Sequence, residues 1–164
     1  MMKTVEKCYF EEIYDIWDKE LWHNRVSKIE ERSALKWNSN LYLGWGIAEI
    51  TKDRESIWKN KTTFWKITDG DLIVGVNSGF KTEDNIYRSR GLWVHKDYRG
   101  YGLSTQLLKA TLEQAKNEQC SHIWTMPRKT ALLAYKKVGF NKIGNWFDES
   151  VEFGPNCLAI MKLL

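Results

Sequence analysis

The chain has 164 residues, about the length of one domain, and an apolar fraction of 43% that suffices for a packed core. Two prolines, eleven glycines and no polar tract argue against a long disordered stretch, and no apolar run approaches the roughly 20 residues of a membrane span. Lys and Arg outnumber Asp and Glu by 25 to 21, a net charge of +4 that suits an anionic small ligand and is too weak and scattered to announce a nucleic-acid binder.

The first residues, MMKTVEKCYFEE, lack the charged-then-apolar pattern of a signal peptide, so a cytoplasmic protein is the expectation, organised as a single domain over 1–164. Thr4 to Cys8 reads as a short strand. Tyr9, Phe10, Ile13, Tyr14, Trp17 and Leu21 recur at the spacing of one helix face. A weaker helical pattern runs through Trp22, Val26, Ile29 and Trp37, and Leu41 to Ala48, with Gly44 and Gly46, reads as a buried loop or irregular strand. Phe64–Ile67 and Leu72–Val76 flank Thr68-Asp69-Gly70-Asp71, an Asp-Gly hairpin signal in which both turn positions are expected at positive φ. Lys81 to Asn85 is a second polar turn, and Ile86 to Val94 a third strand of an antiparallel meander.

The period then changes. Leu103, Leu107, Leu108, Leu112 and Ala115 mark one face of a helix over Gly102–Glu118. His122–Met126 is a short strand stopped by Pro127. Thr130–Lys137 is helical, with Gly139 just past its end, where a left-handed residue is wanted. Phe140–Phe147 and Cys157–Leu163 close the chain as strands. Strand and helix alternating after a meander predict an α/β domain with a mixed, mostly antiparallel central sheet flanked by helices. Cys8, Cys120 and Cys157 are far apart and odd in number, so they predict reduced thiols, with neither zinc nor a disulfide framework.

The informative stretch runs from Leu92 to Ser104, LWVHKDYRGYGLS. A strand ends, a glycine-bearing loop follows, and the long amphipathic helix begins inside it. A helix start presents N–H groups without intrahelical partners and a partial positive charge. Gly100 and Gly102 let a ligand approach the main chain, and Ser104 is too small to block it. The loop is therefore expected to be an anion cradle suited to a pyrophosphate. It is neither a dinucleotide fingerprint nor a P-loop.

Arg99-x-x-Gly102-x-Ser104 after a strand, with Tyr135-x-x-x-Gly139-Phe140 downstream, resembles the GNAT superfamily of N-acetyltransferases over about residues 60–164. The resemblance implies a GNAT-like fold and acyl transfer, most simply acetyl, from acetyl-CoA to a primary amine in a ternary complex, without a metal. It further implies that the backbone of Arg99, Gly100, Tyr101, Gly102, Leu103 and Ser104 holds the coenzyme A pyrophosphate. Trp93 and Val94 pair with the pantetheine arm, and one of their amides faces the thioester carbonyl. Tyr135 protonates the departing thiolate. Gly91 is expected to mark a bulge where the strand begins to part from its neighbour. Two positions depart from the family pattern: Ser104 stands where Gly or Ala is usual, and Arg128 where Asn is usual, with Arg128 expected to pair with phosphate or another acidic group.

His95 and His122 read as surface or structural, and His23 has no evident partner. Glu83, Asp84, Asp148, Glu149 and Glu152 are the candidate bases, and each reads more readily as a solvated loop carboxylate. Trp17, Trp22 and Trp37 are assigned to the core, whereas Trp45, Trp93 and Trp146 are expected to border an acceptor cleft. The acceptor is a small-molecule or peptide amine, no membrane is implied, and a homodimer is left open. A non-catalytic acyl-CoA sensor or scaffold, and a nucleic-acid-associated amine modifier, are the alternative readings.

Overall fold

The computed structural model describes residues 4–21, 35–37, 50–52, 61–83, 85–147 and 155–163. In chain order the elements are β1 (Glu6–Cys8), α1 (Phe10–Ile16) with a π-helical turn at Trp17–Leu21, β2 (Leu35–Trp37), β3 (Ile50–Lys52), β4 (Thr63–Asp69), β5 (Leu72–Glu83) and β6 (Ile86–Val94). A 3-10 turn at Lys96–Tyr98 leads to α2 (Leu103–Asn117), β7 (His122–Thr125), α3 (Lys129–Lys137), β8 (Asn141–Phe147) and β9 (Asn156–Lys162). Seven strands form one sheet in the order β1-β4-β5-β6-β7-β9-β8. Every neighbouring pair in it is antiparallel except β6 with β7. The expected mixed, mostly antiparallel α/β fold is the observed one.

The two faces of the sheet carry different helices. On one, Ile13 of α1 and Trp17 of the π-helical turn pack against Phe64 and Val76. On the other, Leu103 and Leu107 of α2 meet Ile67 and Val74, while Leu108, Leu112 and Ala115 join Tyr87, Ile123, Tyr135 and Phe140. The apolar stripe read from α2 is buried throughout. Each leucine so buried contributes about 1.5–3 kcal/mol. The start of α1 is fixed by Glu12, whose carboxylate accepts from the Tyr9 amide at 2.6 Å and from Lys66 Nζ of β4 at 2.7 Å. The Lys66 bond holds the Glu12 carboxyl below its ordinary value.

Three local expectations need correction. The β4–β5 turn is closed by Asp69 and Leu72, so its central residues are Gly70 and Asp71. Gly70 has φ +59°, but Asp71 is not among the positive-φ residues. One glycine at the first central position meets the demand of the turn. Next, β5 does not stop at Val76 but continues to Glu83, because Phe80 and Thr82 are buried and Thr82 Oγ1 accepts a bond from Trp124 Nε1 at 3.0 Å. The helical pattern ending at Trp37 lies largely outside the described residues; at its end, Leu35–Trp37 is strand β2, paired antiparallel with β3.

Candidate active site

The site originates where β6 and β7 part. They pair in parallel at Ile86–His122, Tyr87–Ile123 and Arg88–Trp124, and the pairing goes no further, although β6 runs on to Val94. Two local causes account for the separation. Beyond Thr125 the chain is captured by β9: Asn156 Nδ2 donates to the Met126 carbonyl at 2.7 Å, the Cys157 amide donates to the Pro127 carbonyl at 3.2 Å, and Arg128 bridges to Asn156. Meanwhile β6 bulges against β5. Val76 pairs with Trp93 and Ser78 with Arg90, so Asn77 faces the two residues Gly91 and Leu92. Gly91 has φ +81°, and a Cβ there would lie 2.4 Å from the Trp17 ring. The expected bulge is thus present, and both its backbone and its packing require glycine.

The gap opens into a cleft of about 490 Å³. Of the residues singled out from sequence, Trp93, Val94, Arg99, Gly100, Gly102, Leu103, Ser104, Arg128 and Tyr135 line it together. Tyr101 does not; its side chain is 67% exposed, outside the cleft wall.

At one end lies the glycine loop. Gly100 and Gly102 have φ of +85° and +78°, and the space a Cβ would occupy at each is open. Gly102 is the N-cap of α2 and offers no side chain to its amides. The first intrahelical bond runs from the Gln106 amide to the Gly102 carbonyl at 3.1 Å, so the N–H groups of Leu103, Ser104 and Thr105 have no partner within the helix. No acidic residue occupies this first turn. The loop is braced from below: Tyr98 donates to Asp69 Oδ2 at 2.6 Å, and Arg99 Nε donates to the Val94 carbonyl at 3.3 Å. A dianionic phosphate chain fits this mouth in charge, donor supply and clearance.

Tyr135 lies in another part of the wall. Its position follows from the way α3 ends. The Phe140 amide donates to the Tyr135 carbonyl at 3.1 Å and the Gly139 amide to the Lys136 carbonyl at 3.0 Å, with Gly139 at φ +114°. This is a Schellman ending, and the rings of Tyr135 and Phe140 supply its apolar contact, edge to face at 5.1 Å. The phenol is 2% exposed, and its oxygen is 3.2 Å from Ser89 Oγ. Burial pushes its pKa above the ordinary value, with the Ser89 and Thr125 hydroxyls pulling partly back.

Behind Ser89 lies a chain of buried polar groups not anticipated from sequence. Asn77 Nδ2 is 3.1 Å from Ser89 Oγ and donates to Thr111 Oγ1 at 2.8 Å, and the Thr111 hydroxyl donates to the Leu107 carbonyl at 3.1 Å. Asn77, Ser89 and Thr111 are all fully buried. The bulge at Gly91 supplied a signal for Asn77, the residue opposite it, but the pairing partner of a bulge cannot be read from one strand alone.

Other assignments sort themselves by position. His95 belongs to the turn: its Nδ1 accepts from the Asp97 amide at 3.1 Å and its ring stacks edge-on with Trp93 and Tyr98. His122 bonds Ser121 Oγ at 2.8 Å, burial lowers its pKa, and it does not line the cleft. Trp17 is core, as expected. Trp93 borders the cleft, but Trp146 lies on β8 between Lys129 and Lys142 and not in the cleft wall. Trp22, Trp45 and His23 lie outside the described residues. So do the candidate bases Asp84, Asp148, Glu149 and Glu152. Glu83 ends β5 opposite Ile86, at the end of β6 where β7 is still paired. Among the described residues, the carboxylate that lines the cleft is Glu20, in the π-helical turn. Arg128 Nη2 donates to the neighbouring Leu21 carbonyl at 2.9 Å, fastening this turn to the start of α3.

A splayed mixed sheet with a bare helix start at the mouth of the gap is the fold of the GNAT acetyltransferases. Residues 60–142, half of the chain, match the acetyltransferase (GNAT) domain, and the chain belongs to that family. No curated protein sequence matches it. Among solved structures, an acetyltransferase of the GNAT family from Staphylococcus aureus Mu50 aligns over 100% of both chains, with a TM-score of 0.65 and 16% identity. Ard1 from Thermoplasma volcanium aligns over 98% of this chain and 97% of its own, with a TM-score of 0.62 and 18% identity. A GNAT family acetyltransferase from Elizabethkingia anophelis with acetyl-CoA bound aligns over 62% of this chain and 76% of its own, with a TM-score of 0.53 and 20% identity. At these identities the likeness is one of fold. Among the described residues there is no group of three or more His, Cys, Asp or Glu able to hold a metal, and no helix long and apolar enough to cross a membrane.

Proposed function

We propose that the protein transfers an acetyl group from acetyl-CoA to a primary amine by direct attack with both substrates bound. The observation that carries this reading is the edge of β6 from Ser89 to Val94, which pairs with no strand among the described residues and faces the cleft between a bare helix start and a buried phenol. Acetyl-CoA supplies the acyl group as a thioester. The amides of Gly100 to Ser104 bind its pyrophosphate, with the Arg99 guanidinium and the Ser104 hydroxyl beside them. The free edge at Trp93 and Val94 takes the extended pantetheine arm as one strand takes another. An N–H of the same edge donates to the thioester carbonyl oxygen as negative charge grows there.

Tyr135 gives its proton to the sulfur as the C–S bond breaks and the C–N bond forms. A phenol held above its ordinary pKa is protonated at neutral pH and ready to donate. Asn77 donates to both Thr111 and Ser89, and the Ser89 hydroxyl has two acceptors in reach, Asn77 Oδ1 at 3.3 Å and the Tyr135 oxygen at 3.2 Å. In the arrangement in which Ser89 donates to Tyr135, the phenolic hydrogen is left to point into the cleft. Glu20, at the rim, receives the proton released by the amine, directly or through water.

The test is Tyr135→Phe, read by thiol release and by the thermal shift that acetyl-CoA produces. Turnover is expected to fall about 10²–10⁴-fold with the shift retained. Unchanged turnover overturns the acid role. A thermal shift without thiol release from any amine in a broad panel would replace the enzyme by a coenzyme-binding sensor.

A further inference from the structure

We infer that Ser89 is a hydrogen switch for the acid and that Asn77 sets it: the Ser89 hydroxyl is shared between Asn77 Oδ1 and the Tyr135 oxygen, and turns fully onto the latter when Tyr135 gives up its proton. The inference rests on the transferase reading above and adds the positioning residues that hold the phenolate. Tyr135 is 2% exposed, and Asn77, Ser89 and Thr111 are fully buried, so a charge left on the phenol oxygen has to be met by the protein. The groups that act on that oxygen are the hydroxyls of Ser89 on β6 and Thr125 on β7, and Arg88 through its charge.

The orientation of the Asn77 amide follows from its neighbours. The Leu107 carbonyl can only accept, so the hydrogen of the Thr111 hydroxyl is committed to it at 3.1 Å. Thr111 Oγ1 therefore accepts from Asn77 at 2.8 Å, which fixes Nδ2 as the end of the amide that faces α2. The second Nδ2 hydrogen is directed at Ser89 Oγ, 3.1 Å away. Ser89 thus accepts from Asn77 and has one hydrogen to give. Its two acceptors are Asn77 Oδ1 at 3.3 Å and the Tyr135 oxygen at 3.2 Å.

Both distances exceed the roughly 2.7–2.8 Å usual between hydroxyl donors and oxygen acceptors, so neither acceptor holds the hydrogen firmly while Tyr135 is neutral. Ionisation decides the contest. A phenolate can only accept, and a hydroxyl bonds an ionised oxygen about twice as strongly as a neutral one, at about 2.5–2.7 Å. In the transfer, the amine nitrogen forms its bond to the acetyl carbon, the C–S bond breaks, and the phenolic proton passes to sulfur. The Ser89 hydrogen settles on the phenolate without leaving its own oxygen. The surplus proton of the amine leaves to Glu20 and, through solvent, restores the phenol as the products depart. Asn77 keeps the Ser89 oxygen in place throughout, and Thr111 anchors Asn77 from α2.

The experiment is a double-mutant cycle on the full chain, read by thiol release from acetyl-CoA with the best-used member of a panel of free amino acids, polyamines and peptides. Asn77→Leu is expected to lower kcat about tenfold with KM for acetyl-CoA unchanged. In a Tyr135→Phe background, where no phenolate forms, the same change is expected to lower kcat no further. Thr111→Val, which removes the anchor of the Asn77 amide, should act in the same direction, whereas Thr111→Ser, which keeps the hydroxyl, should retain turnover. Should Asn77→Leu lack a cooperative thermal transition, the Thr111 pair decides. Equal losses with and without the phenol, a loss carried by KM, or equal turnover in Thr111→Val and Thr111→Ser overturns the inference and leaves the transferase standing. In the unaltered protein, absence of an acetyl-CoA thermal shift, or of thiol release with every amine, overturns both.

Discussion

The two ends of β6 are built from the same strand and behave as different materials. From Ile86 to Arg88 it is paired on both edges, to β5 and to β7. From Ser89 to Val94 it keeps β5, through a bulge, and faces a cleft on the other edge. No residue type separates the halves as cleanly as the neighbours do. In the closed half Tyr87 is core; two residues on, on the same face, Ser89 touches the phenol assigned to chemistry. The contrast teaches that this site arises by withdrawing a strand partner, with β9 drawing the chain after β7 aside and Gly91 bending β6 away.

Several substitutions test that contrast. The largest effect is expected at the mouth of the open half. Gly102→Glu places a side chain at φ +78° and a negative charge at the helix start, and acetyl-CoA binding measured by calorimetry should be lost; retained affinity would put the phosphate site elsewhere. Gly91→Val, at the bulge, drives a Cβ into the Trp17 ring at an unfavourable φ. A loss of about 3 kcal/mol or more is expected in denaturant unfolding, and a stable variant would mean that the bulge does not need its glycine. The sharpest comparison removes one hydroxyl from each half. Ser89→Ala should lower kcat about tenfold with KM for acetyl-CoA unchanged, because the phenol loses its partner. Tyr87→Phe should leave kcat as it is, and equal losses from the two would erase the distinction. The smallest effect is global. Burial pushes the Cys8 thiol up to about 12 and Cys120 to about 11, and raises the Tyr135 phenol as well. The folded chain therefore keeps protons that the unfolded chain releases from about pH 9 upward. The contribution of these groups to stability should be level below that pH and fall above it, seen as a declining Tm on the alkaline side.

The legible parts of this molecule were those written in contiguous residues. The α2 stripe, the glycine loop before it and the Tyr135–Gly139–Phe140 ending are each complete within one helix and its caps, and the structure places them as the spacing required. What escaped was set by partners distant in sequence. Asn77 gains its role from Ser89 and Thr111, and Glu20 reaches the cleft because a π-helical turn and Arg128 hold it there. Arg88 and Arg90 sit on a strand whose alternation was visible. That both would be buried beside indole rings depends on Trp17 and Trp124, which come from other elements. The misread turn at Gly70 has the same origin, since strand register decides which pair of residues occupies its centre.

The ending of α3 has a consequence for how this protein can vary. Only the phenol of Tyr135 faces the cleft, yet the distances from Tyr135 to Gly139 and Phe140 are those of a single helix termination. One residue added or removed between them would rotate the phenol by about 100° relative to the cap that anchors it. The phenol would then be turned away from Ser89 and the cleft. Substitutions at the exposed Lys136 and Lys137 of that turn can be absorbed one at a time; changes in its length cannot.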